Sequence, residues 1–104
     1  MEQTNVYKVY DEDWSGIMGT KQLRGFAIMQ AKELLGYDDA DEIEEKISNK
    51  GYDEFIILDS MKDRVREIVK GVAEDKISIS DITDVDAIEV LKLRYFQVDS
   101  LFIE

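Results

Sequence analysis

The chain has 104 residues, and its 24 acidic side chains exceed its 13 basic ones, so the formal net charge at pH 7 is −11. It contains no cysteine and no histidine, which excludes disulfides, thiolate chemistry, cysteine-type zinc sites and the usual general base near neutral pH. An enzyme is therefore not expected. Because negative particles repel phosphate groups, the charge also disfavours direct binding to nucleic acid or to an anionic membrane.

The hydrophobic fraction of 44% and the aromatic fraction of 10% are typical of a folded chain rather than a disordered one. A single compact acidic domain over residues 1–104 is expected, and a domain of this size buries roughly two-thirds of the surface that its unfolded chain exposes. No apolar run approaches the roughly 20 residues of a membrane span, and the N-terminus MEQTNVYKVY lacks the pattern of a signal peptide. We therefore expect a cytoplasmic protein, in the host cytoplasm if a phage encodes it.

A strand, a loop and a long helix are predicted first along the chain. Alternation around Lys8 predicts a strand over residues 6–10, and the glycine-marked residues 15–19 predict a loop. Thr20 is an N-cap candidate, and Gly36 is placed to end the helix that follows. The apolar stripe of this helix comprises Leu23, Phe26, Ala27, Gln30, Ala31 and Leu34.

Two helices and a strand are predicted in the middle of the chain. Asp39 and Glu42 form a capping-box pattern that begins a second helix, and Gly51 ends it. The continuous apolar run at residues 55–58 predicts a strand buried on both faces, and a third helix follows from Ser60. The apolar faces of the two helices comprise Ile43 and Ile47 in the second and Met61, Val65, Ile68 and Val72 in the third.

A short strand and a fourth helix are predicted next. Residues 77–80 alternate between isoleucine and serine, which predicts an edge strand. Thr83 and Asp86 form a further capping-box pattern, so a helix is predicted over residues 84–94. A strand at residues 87–91 is the alternative, because β-branched residues are frequent there. The apolar stripe of the helix comprises Val85, Ile88 and Leu91.

Residues 96–103 have strong β character and predict a last strand that closes the sheet. The resulting order β-α-α-β-α-β-α-β predicts an α+β fold, with an α/β fold as the alternative. We expect a small mixed sheet of about four strands, packed by three to four helices. Because helices separate the strands along the chain, at least part of the strand pairing is expected to be parallel.

Carboxylates are densest at the start of the second predicted helix, where they comprise Asp38, Asp39, Asp41, Glu42, Glu44 and Glu45. On a helix, side chains three and four residues apart lie on one face at about 5–6 Å, which is close to the phosphate spacing of a nucleic-acid strand. Asp38, Asp41, Glu42 and Glu45 have this spacing, so their row suits a groove built for DNA or RNA. The alternative is a solvated helix start whose acids stabilise the helix dipole.

A second acidic stretch lies at the start of the fourth predicted helix and comprises Asp81, Asp84, Asp86 and Glu89. The same two interpretations apply to it, a partner-binding row or a capped and solvated helix start. If both helix starts lie on one side of the domain, they form one broad negative face.

The segment from Asp11 to Gly16 has part of the pattern of a calcium-binding loop. Acidic or hydroxyl side chains stand at its first, third and fifth positions, and glycine stands at the sixth. However, Gln22 occupies the twelfth position, where an EF-hand has a bidentate glutamate, and a strand precedes the loop instead of a helix. A turn at the end of a strand is the favoured interpretation, and we predict no metal and no cofactor.

The basic side chains form one cluster, which comprises Lys62, Arg64, Arg66 and Lys70. Acids are interleaved with it at helical spacing, namely Asp59, Asp63 and Glu67. Ion pairs within a helix are therefore expected here rather than a nucleic-acid site.

Several aromatic residues lie beside acids or at element boundaries, namely Trp14, Tyr7, Tyr10, Tyr37 and Tyr52. Tryptophan and tyrosine among acids act as anchors in protein interfaces. The alternative is that these side chains form the rim of the core.

The sequence predicts a small acidic inhibitor that binds and blocks a basic nucleic-acid-handling protein, such as a nuclease or effector, through its acidic rows. In composition it is similar to the small acidic proteins of phages and mobile elements that act in anti-CRISPR or anti-restriction defence, in part by nucleic-acid mimicry. It is similar in the same way to immunity proteins of nuclease toxins. A phage or plasmid accessory domain with a structural or assembly role and a metal-binding module that uses Asp11 and Asp13 are the alternatives. We expect a monomer or a weak homodimer.

Overall fold

A computed structural model describes residues 4–48 and 55–103. Its strands and helices are β1 (Thr4–Tyr10), β2 (Ser15–Gly19), α1 (Thr20–Tyr37), α2 (Ala40–Ile47), α3 (Lys62–Ala73), α4 (Asp84–Lys92) and β3 (Gln97–Ile103). Short 3₁₀ turns precede α3 and α4, at Asp59–Met61 and Ile79–Asp81. The predicted α+β class is confirmed. Within residues 4–48 and 55–103, no helix is both long and apolar enough to cross a bilayer.

The sheet has the strand order β2-β1-β3, and the central strand β1 is antiparallel to both neighbours. Lys8 lies opposite Ile17 on one side and opposite Asp99 on the other, and it is exposed. Tyr7 and Val9 alternate with it and are buried against the helices. One face of the sheet therefore packs on the helical layer, and the other face carries exposed side chains. The expected parallel pairing is wrong, because the helices of the described chain connect antiparallel strands.

The β1–β2 hairpin replaces the loop predicted at residues 15–19. An Asp11 Oδ1 atom accepts the backbone N–H groups of Asp13 at 2.9 Å and Trp14 at 2.8 Å, which closes the turn. Gly16 then lies beneath the indole ring, where an added Cβ would come within 2.8 Å of Trp14 ring atoms. The glycine therefore permits close packing within a strand rather than marking a loop.

The helix starts at the two capping boxes are confirmed, at Asp39 with Glu42 in α2 and at Thr83 with Asp86 in α4. The predicted stripe of α1 is also confirmed, since its buried residues are Leu23, Ala27, Gln30, Ala31 and Leu34. Its limits differ. The N-cap is Gly19, and the helix continues through Gly36 to Tyr37, so the prediction that this glycine ends the helix is wrong. The predicted stop of α2 at Gly51 lies outside the described residues.

Two predicted strands are wrong. In residues 55–58 Ile57 is buried, but Ile56 and Leu58 are about half exposed. The apolar run therefore contributes one fully buried side chain to the core and is not a strand buried on both faces. Residues 77–80 enter a 3₁₀ turn instead of a strand. There the carboxylate of Asp81 accepts the backbone N–H of Ser78 at 2.8 Å, a local bond that competes with strand pairing.

The face that α4 buries differs from the predicted stripe. Val85 is exposed, whereas Ala87, Val90 and Leu91 are buried. The helix ends at Lys92 instead of residue 94, and the alternative strand at residues 87–91 is not formed. The face of α4 is rotated because the helix packs against α1 and α3 at once. In α3, by contrast, Val65, Ile68 and Val72 are buried as predicted, and Met61 packs against the core just before the helix begins.

Candidate functional site

The acidic stretch at the start of α4 is directed inward. The side chains of Asp84, Asp86 and Glu89 are 14%, 6% and 4% exposed. Their ion pairs are Arg24–Asp84 at 3.0 Å, Arg64–Asp86 at 3.2 Å and Lys92–Glu89 at 3.0 Å. Asp81 alone of this stretch is exposed. The structure therefore does not present an exposed second row, and these carboxylates do not join α2 in one broad negative face.

Asp84 is the centre of a buried hydrogen-bond network. Its carboxylate accepts the Tyr7 hydroxyl at 2.6 Å, the Thr20 hydroxyl at 3.1 Å and the Arg24 Nε–H at 3.0 Å. These bonds connect β1, α1 and α4. Burial by itself raises the pKa of Asp84, but the hydrogen bonds from Tyr7, Arg24 and Thr20 outweigh it and hold the pKa below its usual value. This carboxylate therefore stabilises the fold.

Burial also affects the partner of Asp84 on the central strand. Burial and the hydrogen bond to the Asp84 carboxylate raise the pKa of Tyr7 to about 12. The side chain of Tyr7 is 6% exposed. It was a candidate interface anchor, but the structure places it in the core.

The acids of α2 have the opposite orientation. Asp41, Glu42 and Glu45 are exposed on the helix. Asp39 and Glu42 cap its first turn, with the backbone N–H of Glu42 donating to Asp39 Oδ1 at 2.8 Å. Within residues 4–48 and 55–103, no cation forms an ion pair with Asp41 or Glu45. These two carboxylates are therefore exposed and are not neutralised by a cation of the described residues.

Two acids of the predicted α2 cluster, one of them a member of the row, are held by cations of the chain itself. Asp38 precedes the helix and forms an ion pair with Lys46 Nζ at 2.5 Å, so it leaves the row. Glu44 receives Arg66 Nη2 at 2.6 Å. Hydrogen bonds from this guanidinium hold the pKa of Glu44 below its usual value, although partial desolvation opposes them. Asp41, Glu42 and Glu45 remain as the exposed row.

Lys62, Arg64 and Arg66 of the predicted basic cluster also form ion pairs. The ion pairs within it are Asp59–Lys62 at 2.8 Å, Asp63–Arg66 at 2.8 Å and Arg64–Glu67 at 3.0 Å. The expectation of ion pairs between neighbouring helical turns is confirmed. Arg64 and Arg66 also reach Asp86 in α4 and Glu44 in α2, so these two cations pair with carboxylates of the same molecule, whereas Lys70 is exposed.

A further acidic group lies at the β1–β2 turn, where Glu12 and Asp13 are exposed and Asp11 is half-buried. In the described part of the chain, none of the three forms an ion pair. The turn connects two strands, as the favoured interpretation of this segment predicts. No three acidic side chains among the described residues are grouped so that they can hold a metal ion.

The turn forms one wall of a cleft of about 490 Å³. Its lining comprises Tyr10, Asp11, Glu12, Asp13, Phe55, Arg94, Tyr95 and Gln97. The Tyr10 hydroxyl donates to Gln97 Oε1 at 3.0 Å, and the rings of Phe55 and Tyr95 meet edge to face with centroids 5.4 Å apart. The cleft therefore combines carboxylates on one side with aromatic rings beside them. We call it the turn cleft.

Tyr95 occupies a backbone position that usually requires glycine. Its φ is 64°, at the point where the backbone N–H of Phe96 donates to the carbonyl of Leu91 at 3.2 Å and ends α4. The left-handed conformation costs a residue with a Cβ atom roughly 1–2 kcal/mol. The ring is 39% exposed, and Lys46 Nζ lies 5.0 Å from its centroid. Tyr95 thus connects the turn cleft with the helix α2.

The other candidate interface anchors differ in their exposure and in their contacts. Tyr10 lines the turn cleft, and Tyr37 is 77% exposed with the Arg94 guanidinium 5.6 Å from its ring centroid. Trp14 stacks on Phe26 with centroids 5.4 Å apart and remains 44% exposed. Tyr52 lies outside the described residues.

Sequence reasoning missed four residues of the turn cleft, namely Phe55, Arg94, Tyr95 and Gln97. No local pattern marks them, because they meet the turn through tertiary contacts. The run of three acids at residues 11–13 was itself a signal. Its pattern was interpreted as a calcium loop or, preferably, a turn at the end of a strand, although its charge also fits a protein interface.

Comparison of the chain with protein-family models, with curated proteins and with solved structures finds no match.

Proposed function

We propose that this chain is a small acidic protein inhibitor that binds and blocks a basic nucleic-acid-handling protein, such as a nuclease or effector. It acts in the cytoplasm, in the manner of anti-CRISPR or anti-restriction proteins of phages and mobile elements. Its acidic surface occupies the site where the partner holds nucleic acid. An immunity protein for a nuclease toxin falls within the same proposal, because the partner has the same chemistry.

The observation that carries the proposal is the placement of the carboxylates that internal ion pairs leave over. Cations on α1, α3 and α4 are bound to acids of the fold, as in Arg24–Asp84 and Arg64–Asp86. Among residues 4–48 and 55–103, most of the remaining acids lie at residues 11–13 and at the start and exposed face of α2, and Asp75, Asp81 and Asp99 lie elsewhere. A particle of net charge −11 with such surfaces attracts a basic partner over a long range and associates rapidly at low salt.

Exposed aromatic side chains supply the short-range part of the interaction. Tyr37 directly precedes the acids of α2, and Tyr95 lies between them and the β1–β2 turn. Large amphipathic side chains of this kind dominate binding energies when an interface desolvates them. Electrostatics would then set the association rate, and these rings would slow dissociation.

The test begins with capture of the partner at low salt. Tagged protein is incubated with nuclease-treated host lysate, eluted by rising salt, and the eluted proteins are identified by mass spectrometry. Recovery of a basic DNA- or RNA-handling protein that releases as salt rises, and whose activity the purified chain inhibits, supports the proposal. Recovery of the bait alone, or of a partner whose activity is unchanged, contradicts it.

Matched variants sharpen this test. Asp41→Asn with Glu45→Gln removes two exposed carboxylates from α2. Glu74→Gln with Asp75→Asn removes two exposed charges that follow α3 in the chain, of which Glu74 pairs with Lys76 at 3.4 Å. The α2 pair should weaken the complex at low salt by about tenfold or more, since each neutralised contact is worth on the order of a kcal/mol. An equal loss in the control pair would assign the effect to net charge alone.

An accessory structural or assembly role is the second candidate, and one observation favours it. A groove of about 360 Å³ beside β2 is lined by uncharged residues, among them Trp14, Ile17 and Met29, which are each at least 44% exposed. Self-association through this surface would strengthen with salt, because salt screens the repulsion between acidic copies. Light scattering at low and high salt therefore distinguishes it from partner binding, which salt weakens.

A further inference from the structure

We propose that the turn cleft binds an arginine side chain of the basic partner. This inference names the contact through which the proposed inhibition works, and in that sense it rests on the proposed function. The cleft itself is a property of the chain alone, so its ligand chemistry can be tested without the partner.

The size and the walls of the turn cleft fit a guanidinium group with its aliphatic stem. Its volume of about 490 Å³ falls within the range of ligand pockets, roughly 300–1,000 Å³. The carboxylates of Glu12 and Asp13 lie in the same lining as the rings of Tyr10 and Tyr95. A planar guanidinium stacks on aromatic faces and donates paired hydrogen bonds to carboxylates, and it is more weakly hydrated than an ammonium. Arginine therefore suits this cleft better than lysine.

The cation that the chain itself brings to the cleft does not neutralise the turn. Arg94 Nε donates to Gln30 Oε1 at 3.2 Å, and its Nη2 lies 3.4 Å from Glu33 Oε2. Both partners belong to α1, and within the described residues no ion pair joins Arg94 to the acids at residues 11–13. The turn thus keeps an excess of negative charge for an incoming cation.

The acidic wall is preorganised. Asp11 Oδ1 accepts two backbone N–H groups of the turn, which fixes the loop that carries Glu12 and Asp13. A site that is ordered before binding loses less conformational entropy when it takes its ligand. The neighbouring carboxylates are exposed, so their charge is available.

The aromatic walls already bind cations within the molecule. Lys46 Nζ lies 5.0 Å from the centroid of the Tyr95 ring, and Lys8 Nζ lies 5.2 Å from that of Tyr10. Phe55 packs edge-on against the Tyr95 ring and supports it. An arginine that enters the cleft meets the same cation–π attraction, in competition with these two lysines.

The deciding experiment uses two short peptides and the whole protein. An acetylated and amidated Gly-Arg-Gly peptide is titrated at low salt into the isotopically labelled chain, and backbone and aromatic NMR shifts are mapped. The control peptide carries citrulline, which has the shape of arginine and no charge. We expect shifts confined to the turn cleft, with a Kd on the order of 1 mM for the arginine peptide and at least about tenfold weaker binding for citrulline.

Two variants locate the site. Glu12→Gln with Asp13→Asn should lower the affinity for the arginine peptide by at least about tenfold, whereas Glu74→Gln with Asp75→Asn should leave it unchanged. Tyr95→Gly removes the aromatic wall at a backbone position that glycine adopts without strain, so it should lose binding while the chain stays folded.

Equal shifts from both peptides, or shifts centred on α2 instead of the turn, would overturn the proposal. Its failure is distinguishable from failure of the proposed function. If the partner binds the Glu12→Gln, Asp13→Asn variant as tightly as the original chain, the inhibitory function stands and the proposed arginine site in the turn cleft is wrong. If the arginine peptide binds in the turn cleft and no partner is inhibited, the proposed arginine site stands and the inhibitory function is wrong.

Discussion

The starts of α2 and α4 each carry two acids in the first turn, and each is closed by a reciprocal capping box. Around α2 the carboxylates of Asp41, Glu42 and Glu45 face solvent. Around α4 the corresponding carboxylates are enclosed and paired. The difference comes from the neighbours, because α4 packs on both α1 and α3, whereas α2 packs on α3. Acid density along a sequence therefore does not by itself identify an acidic surface.

The largest expected effect comes from removing a cation beneath α4. Arg64→Ala leaves the carboxylate of Asp86, which is 6% exposed, without its cationic partner and, among the described residues, with only the backbone N–H of Thr83 as a hydrogen-bond donor. We expect the free energy of unfolding to fall by about 3 kcal/mol, since a buried charge loses its compensation. Urea denaturation measures this loss.

Arg66→Ala on the same helix is the matched control. Its partners Glu44 and Asp63 are at least half exposed, so its loss should cost about 1 kcal/mol or less. Equal losses in the two variants would contradict the contrast between the α4 and α2 carboxylates.

The second effect is the contribution of the Asp84 carboxylate to stability and its loss at low pH. Asp84→Asn removes a charge that accepts three hydrogen bonds and should lower the unfolding free energy by about 2 kcal/mol at neutral pH. Because the folded-state pKa of Asp84 lies below its unfolded value, its contribution is present above about pH 4 and is lost as the pH falls through the folded pKa. The variant should therefore show a flatter loss of stability in acid, measured by urea denaturation as a function of pH. An unchanged acid slope would refute this role.

The third effect appears in alkali. The pKa of Tyr7 is raised to about 12 in the fold, above the value of about 10 in an unfolded chain. Its contribution to stability is thus full below about pH 10 and is lost as the pH rises toward 12. Tyr7→Phe should cost about 1 kcal/mol at neutral pH and reduce the alkaline loss. Thermal unfolding across this pH range measures both effects, and Tyr37→Phe at an exposed ring is the control.

The smallest effect on stability is expected on α2. Asp41→Asn with Glu45→Gln should change the unfolding free energy by no more than about 0.5 kcal/mol, because neither carboxylate forms an ion pair within the described residues. The same pair of substitutions is expected to weaken partner binding. A loss of stability as large as that of Arg64→Ala would show that the exposed acids also hold the fold together.

Local patterns predicted the elements that depend on neighbours in sequence. The capping boxes at Asp39 and Thr83 and the strands β1 and β3 follow from such signals. The strand β2 was missed because no local signal distinguishes a glycine that lies beneath a ring within a strand, as Gly16 does beneath Trp14, from a glycine in a turn. Strand direction was missed for the same reason, since it depends on contacts between distant segments.

The candidate site divides in the same way. The exposure of Asp41 and Glu45 follows from helical spacing, but the burial of Asp84 depends on Arg24, which is 60 positions away in the chain. The turn cleft likewise joins residues 11–13 to Phe55 and Tyr95 across most of the sequence. The charge and the hydrophobic periodicity of a segment can be read from neighbouring residues in the sequence. Ion pairing and burial depend on residues that are distant in sequence, so they cannot be read in this way.

The indole ring of Trp14, which lies over Gly16, is an intrinsic fluorescent probe. Trp14 is the single tryptophan of the chain, and its backbone N–H bonds to Asp11 within the acidic turn. Its ring also stacks on Phe26 and meets Phe96 edge-on, so its emission depends on the packing of β2 against α1. A ligand that moves the turn and a denaturant that opens the sheet should both alter this fluorescence, so binding and unfolding can be followed without a label.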